Sequence, residues 1–256
     1  MTKDFCKPTL ACVIPARYNS SRFPGKLLAK AQGKTVLERT FENARSCPAI
    51  DALYVATDDE RIAEHIRQLK GEVIWTSSTP RDGTERTIEA MNGHPVLQKA
   101  DYVLVLQGDH PCTTPETISA IAEALRSDET AVLSTAAAPI RTMEEFLSPH
   151  VVKCVFDKDR NALYFSRSPI PYIGAKRPLA AFAHIGIYCY RRTFLEQLAS
   201  LKATSLQMSE DLEQLKVLEL GYRIKIAMAN EKTPSVDTLS DLQKLEEYLC
   251  KQNTFS

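Results

Sequence analysis

The chain has 256 residues, 44% of them hydrophobic and 25% charged, a composition that excludes a disordered, collagen-like or coiled-coil protein. Lys plus Arg and Asp plus Glu stand at 32 each, so no net charge draws the chain toward nucleic acid or an anionic membrane, and 7% aromatics leave no stacking stripe for single strands. No apolar run approaches the roughly 20 residues of a membrane span.

Residues 1–17 carry Lys3, Asp4 and Lys7 and lack the apolar stretch of a signal peptide, so a cytoplasmic protein is expected. The seven cysteines are odd in number and form no Cys-x-x-Cys pair, which predicts reduced, mostly buried thiols rather than disulfides or zinc.

In chain order, Leu10–Ile14 is a buried strand ended by Pro15, followed by a Ser/Arg/Pro/Gly loop and a helix presenting Leu37, Phe41 and Ala44 on one face. A second strand at 52–56 leads to a helix marked by Ile62, Ile66 and Leu69 and closed at Gly71. Short runs at 73–75 and 102–106 are the third and fourth strands. Pro115 opens a helix with Ile118, Ile121, Ala122 and Leu125 inward, and 131–137 reads as a fifth strand. This alternation predicts an α/β chain with a mostly parallel central sheet and crossover helices.

The middle changes character. Strands 151–156 and 162–166 flank a polar turn and read as a hairpin. Residues 169–183 form an irregular Pro-rich loop, and 185–190 is a further strand. Helices are expected at 192–200 and 209–220, a strand near 224–229, and a terminal helix through Leu242, Leu245 and Leu249. The organisation expected is one domain over 1–256, with an inserted antiparallel subregion at about 151–190.

Nine glycines make their positions informative. Gly25 lies in the loop Arg17-Tyr18-Asn19-Ser20-Ser21-Arg22-Phe23-Pro24-Gly25-Lys26, which leaves the first strand where open α/β sheets bind ligands. Its cations suit a polyphosphate, or else form a solvated basic loop. It is not a Walker A loop, because no Ser or Thr follows Lys26. Gln107-Gly108-Asp109 follows the buried fourth strand, where Asp109 is either a ligand for magnesium beside a phosphate pocket or a turn cap. Asp237, ahead of the last helix, allows the same two readings. Arg81–Arg86 is a second polar glycine loop that binds a base or ribose or only caps a helix, and Thr57-Asp58-Asp59 is equally open. Arg167, His184 and Tyr188 sit beside the inserted strands with the spacing of a polar pocket, although a lone strand histidine is commonly structural. Helical spacing puts Glu210, Glu213 and Gln214 on one helix face. No Gly-x-Ser-x-Gly or His-Glu-x-x-His occurs, which leaves hydrolase and metalloprotease chemistry without support.

Together these segments resemble the sugar-acid cytidylyltransferases. Ile14-Pro15-Ala16-Arg17 with Ser20, Ser21, Arg22 and Pro24-Gly25-Lys26 is similar to the nucleotide-binding loop of that family. Ala56-Thr57-Asp58, Gly83-Thr84-Glu85-Arg86, Gln107-Gly108-Asp109, Ala162–Arg167, Ile170-Pro171, His184–Tyr188, Glu213-Gln214-Leu215 and Val236-Asp237-Thr238 follow in the family's order. The match runs from about residue 10 to 249 and is closest to the branch that activates 3-deoxy-D-manno-octulosonate (Kdo). It departs from the family at His110 (usually Glu), Arg81-Asp82 (commonly Gln-Ser) and Cys189 (commonly Gly).

The resemblance implies a Rossmann-like nucleotidyltransferase fold, a homodimer and dependence on Mg²⁺. It implies CMP transfer from CTP to the anomeric hydroxyl of Kdo, with release of pyrophosphate, for lipopolysaccharide assembly. Lys26, Arg17 and Asp109 are then the expected catalytic residues, and Asp109 and Asp237 the metal ligands. The nucleotide would meet Ala16, Arg17, Ser20, Ser21, Arg22, Lys26, Thr57, Asp58, Gly83, Thr84, Arg86 and Gln107. The sugar would meet Arg167, His184, Tyr188, Glu210, Glu213 and Gln214, with the inserted region serving sugar binding and dimerisation. The alternatives are a cytidylyltransferase for sialic acid or 8-amino-Kdo, and a non-catalytic sugar-nucleotide binding protein.

Overall fold

The computed structural model describes residues 9–20, 22–174 and 179–254. Ser21, expected at the nucleotide, and Pro178 of the Pro-rich loop lie outside them. The chain divides into two compact units, one of residues 1–115, 191–199 and 234–256, the other of 116–190 and 200–233.

The first unit is built on strands β1 (Leu10–Pro15), β4 (Ala52–Thr57), β5 (Glu72–Trp75) and β6 (Tyr102–Val105), with a small hairpin of β2 (Lys30–Ala31) and β3 (Lys34–Thr35). The larger strands lie in the order β6-β1-β4-β5, all parallel. β1 pairs on both sides and is buried at every residue, which is why its sequence is continuously apolar rather than alternating. The loops leaving the carboxyl ends of β1, β4 and β6 therefore gather at one edge.

Local sequence sets where the crossover helices begin. Thr35 caps the helix Val36–Arg45, accepting from the Glu38 amide at 3.0 Å while the Glu38 carboxylate returns to the Thr35 amide. Asp59 caps Glu60–Gln68, and Asp82 caps Gly83–Gly93 through the Glu85 amide at 2.7 Å. Gly83, Thr84 and Arg86, expected in a loop, thus form the first turn of a helix. The Asp82 side chain satisfies its amides, and that starts the helix earlier than the glycine signal indicates.

The second unit carries β7 (Ala131–Pro139), β8 (Lys153–Phe156), β9 (Ala162–Ser166), β10 (Phe182–Arg191) and β11 (Arg223–Met228). β7 lies between parallel β11 and antiparallel β10, and β8 and β9 extend the sheet from β10 as an antiparallel hairpin. The register of β10 on β7 shifts between Ile185 and Cys189. There the buried Thr135 hydroxyl lies 3.0 and 2.8 Å from the Ile185 and Ile187 carbonyls, meeting acceptors the ladder leaves open.

The expected helix 209–220 is instead two helices, Ser205–Glu210 and Glu213–Glu219. Asp211 breaks them with a left-handed φ of 53°, so Glu210 does not share a helix face with Glu213 and Gln214. Of the cysteines, Cys12, Cys47, Cys112, Cys154, Cys189 and Cys250 are free thiols, four of them buried. No described helix is long and apolar enough to cross a membrane.

Candidate active site

The first unit concentrates its charge at the carboxyl ends of its strands. After β1 the chain turns outward, and Gly25 closes the turn by donating its amide to the Tyr18 carbonyl at 2.9 Å. Gly25 has φ 72°, in the left-handed region, and a side chain there would press on the Tyr18 ring. The turn delivers Lys26 into a one-turn 3₁₀ helix, with its side chain only 11% exposed. Its ammonium donates to Asp109 at 2.5 Å and to Asp237 at 2.8 Å, joining groups 83 and 211 residues away. Arg22 adds a second cation to Asp237 at 3.2 Å. The Val236 amide donates to the Asp109 carbonyl at 3.0 Å, so the two carboxylate-bearing loops are also fastened through the backbone.

The electrostatics follow from this packing. Burial works against the Lys26 charge, but the facing carboxylates more than offset it and hold the ammonium above its ordinary pKa. Burial likewise pushes the Asp109 carboxyl up. The charges of His110 and Lys26 outweigh that push, so its pKa lies below the ordinary value. Lys26 stays protonated and Asp109 ionised at neutral pH. An ammonium between two carboxylates can turn toward an incoming phosphate while the carboxylates turn to a cation. Among the described residues no cluster of three or more His, Cys, Asp and Glu could hold a metal. Asp109 and Asp237 nevertheless form a hard oxygen donor pair. That pair fits Mg²⁺, which takes one or two carboxylates and completes its shell with phosphate oxygens and water.

The other expected nucleotide residues gather at the same edge. Ala16 is buried at the end of β1, its amide donating to the Ala56 carbonyl at 2.8 Å. Arg17 is exposed, within 3.4 Å of the Arg81 carbonyl, and Ser20 is half-buried. Thr57 is buried at the end of β4. Gln107 lies across Gly83, where an added Cβ would meet its side-chain oxygen at 2.6 Å and Pro15 Cγ at 2.9 Å. That glycine is required by close approach rather than by its backbone angles. Arg86 is a strut: its guanidinium is buried and binds Thr76 at 2.5 Å, the Ser77 carbonyl at 3.2 Å and Asp58 at 3.2 Å. It thereby holds Asp58 at the end of β4. Thr84 is buried beside it in the same helix turn.

In the second unit, His184, Tyr188 and Gln214 come together in a buried cluster. His184 Nε2 lies 2.9 Å from the Thr135 hydroxyl and its ring packs edge-on against Phe165. The Tyr188 ring is 5.6 Å from the His184 ring, and its hydroxyl donates to Gln214 Oε1 at 3.1 Å. Burial, with Tyr190 and Glu213 nearby, raises the Tyr188 pKa well above 10, so the phenol remains a donor. The Gln214 Nε2 is buried without a hydrogen-bond partner, a donor left open in the cluster. Glu213 is half-buried at the start of its helix.

Arg167 and Glu210 form a second group. Both Glu210 carboxylate oxygens are used, one by the Ser166 hydroxyl at 2.6 Å and the other by the Arg167 amide at 2.9 Å. The Arg167 guanidinium donates to the backbone carbonyls of Glu210, Pro149 and Asp211. Sequence reasoning missed Lys153 altogether, although it is wholly buried in this region. The one available signal was a cation inside the otherwise apolar run Val151–Phe156.

Residues 11–226 match the sequence profile of the family described as Cytidylyltransferase. The chain belongs to the cytidylyltransferase family. Within it, the 3-deoxy-manno-octulosonate cytidylyltransferase of Protochlamydia amoebophila is 47% identical, over 95% of this chain and 95% of its own. That of Chlamydia pneumoniae is 43% identical over the same shares. Among solved structures, CMP:2-keto-3-deoxy-manno-octonic acid synthetase complexed with CTP superposes with a TM-score of 0.89 at 33% identity, covering 95% of this chain and 99% of that one. The 4-diphosphocytidyl-2C-methyl-D-erythritol synthase of Anaerococcus prevotii, at 17% identity and a TM-score of 0.63, shares the fold alone. The expected α/β nucleotidyltransferase architecture and the family resemblance are both borne out.

Proposed function

We propose that this chain transfers CMP from CTP to the anomeric hydroxyl of Kdo, giving CMP-Kdo and pyrophosphate for lipopolysaccharide assembly. The observation that carries the chemistry is the convergence of Lys26 with Asp109 and Asp237 beneath a basic loop. The substrate rests on relatives at 40–47% identity that bear the name 3-deoxy-manno-octulosonate cytidylyltransferase.

The sugar hydroxyl attacks the α-phosphorus of CTP and gives up its proton to solvent, the new C–O–P linkage forms, and the bond to the bridging oxygen of pyrophosphate breaks in line. Little covalent work falls to the protein, so placement and charge do most of it. Arg17, Arg22 and Lys26 meet the negative charge that gathers on the phosphate oxygens, and Gln107 lies over Gly83 to help position the nucleotide. Arg167 pairs with the Kdo carboxylate, while His184, Tyr188 and Gln214 offer donors and acceptors to its hydroxyls. Asp109 and Asp237 are the residues that would hold Mg²⁺, which would supply positive charge to the phosphate oxygens and lower the pKa of the attacking hydroxyl. The protein acts in the cytoplasm as a homodimer, a state supported by Leu163, Tyr172 and Met208, large apolar side chains left exposed in the second unit.

The test is pyrophosphate release from CTP with Kdo, sialic acid or no sugar, with and without a chelator, beside a light-scattering mass. Release with Kdo alone, lost on chelation, from a species twice the 28.6 kDa chain mass is the expected result. Release with sialic acid alone overturns the substrate, and release that survives chelation overturns the metal.

A further inference from the structure

Lys153 is the most anomalous side chain in the second unit. Lysine is almost never fully buried unless paired with a charge, yet Lys153 on β8 has 0% exposure. Among the described residues its ammonium makes no salt bridge, and it donates instead to backbone carbonyls: Ser148 at 2.8 Å, Val151 at 2.7 Å and Arg167 at 2.5 Å. Three donors meet three acceptors, so the group is satisfied, but by the chain rather than by a carboxylate. Burying a cation in this way is costly unless it organises something.

What it organises is Arg167. Lys153 holds the Arg167 carbonyl from one side, and Glu210 accepts the Arg167 amide at 2.9 Å from the other. The same ammonium holds Ser148 and Val151, which flank Pro149, and the Pro149 carbonyl receives the Arg167 guanidinium at 3.2 Å. Both the backbone of Arg167 and one seat of its guanidinium therefore depend on a single buried charge. The Arg167 side chain remains 38% exposed, with the exposed Asp211 carboxylate 3.8 Å from its guanidinium, so its charge lies at the surface on a fixed base.

We propose that Lys153 is a positioning residue for recognition of the sugar carboxylate, acting through Arg167. The inference rests on the proposed Kdo reaction and names a residue to which that reading assigns no role. Lys153 touches no reacting atom. It fixes where the Arg167 guanidinium stands, and hence how well an acid sugar is held.

The experiment compares wild type, Lys153→Met, Lys153→Gln, Arg167→Ala and the double variant Lys153→Met/Arg167→Ala. Lys153→Met keeps the aliphatic stem and removes every donor, and Lys153→Gln keeps two donors on a shorter arm. The expected result for Lys153→Met is a rise in KM for Kdo of about tenfold, with kcat within about threefold and the CTP dissociation constant unchanged, the signature of lost substrate binding rather than lost chemistry. Lys153→Gln should fall between Met and wild type. In the Arg167→Ala background the Lys153 substitution should add nothing, because the two act as one unit. Unchanged KM for Kdo, an equal loss of CTP affinity, or full additivity in the double variant overturns the proposal. So does failure of both Lys153 variants to fold, since Lys153 is then a folding residue only. If wild type itself releases no pyrophosphate with Kdo, it is the Kdo reading that fails, and the variants are not needed to see it.

Discussion

Lys26 in the first unit and Lys153 in the second use buried charge in opposite ways. In the first, Lys26 is paired to the side chains of Asp109 and Asp237, groups that can exchange partners as phosphates arrive. In the second, Lys153 is spent on the backbone carbonyls of Ser148, Val151 and Arg167. Side-chain ion pairs leave a charge available for chemistry, whereas charge-to-backbone contacts turn a charge into a scaffold. The first unit thus reads as the place where charge moves, and the second as the place where a shape is held.

The largest expected effect breaks the first network. Lys26→Ala should lower kcat by about 10²–10³-fold, the range for removing one preorganised donor to transition-state charge. The folded state should survive, because the carboxylates left behind are partly solvated, Asp237 at 40% exposure. Turnover near wild type in a folded variant would show that the Lys26 pairing is structural and would erase the contrast between the units.

A smaller effect is expected from Gly83→Ala. Its Cβ would displace the Gln107 side chain, 2.6 Å away, without demanding an unusual backbone angle. CTP affinity should fall by roughly tenfold, about 1.4 kcal/mol, as read by calorimetry, with the melting temperature little changed. Unaltered CTP affinity would place Gln107 away from the nucleotide.

An effect of similar size, on stability rather than on binding, belongs to the scaffold of the second unit. Asp128 accepts from the Thr130 amide and hydroxyl at 2.9 and 2.6 Å and pairs with Lys225 at 3.1 Å. These contacts, the Thr130 hydrogen bond foremost, hold its carboxyl well below the ordinary 3.8. The unfolded chain therefore takes up a proton first as pH falls. The stability Asp128 confers is complete above its unfolded pKa and is lost as pH drops through the folded value. Asp128→Asn should cost about 1–2 kcal/mol at neutral pH, and in urea melts the gap to wild type should narrow at pH below 3.8. A gap independent of pH would mean that the carboxylate charge contributes nothing to this scaffold.

Much of the fold was legible because its signals are local. The apolar run of β1 reports burial on both faces, and Pro115 with Ile118, Ile121, Ala122 and Leu125 marks a helix start and its buried face. The charged edge of the first unit was legible for the same reason, since loops that follow parallel strands must open at one side of the sheet. Glu210 was placed wrongly relative to Glu213 and Gln214 because hydrophobic spacing carries through Asp211 without recording its left-handed backbone. Arg86 shows another gap: among cations on a polar segment, nothing local separates a strut buried on Thr76 and Asp58 from an exposed arginine such as Arg17.

By itself, then, the sequence determined the order of the main strands and crossover helices and the residue types brought to the carboxyl edge of the first unit. These follow from periodicity and short-range hydrogen bonding, which a linear chain displays directly. Only the tertiary structure decided that Lys26 sits between carboxylates 83 and 211 residues away, and that Lys153 is wholly buried on the carbonyl of Arg167. Those outcomes depend on which distant groups share a desolvated site, and desolvation is a property of packing that no stretch of neighbouring residues carries.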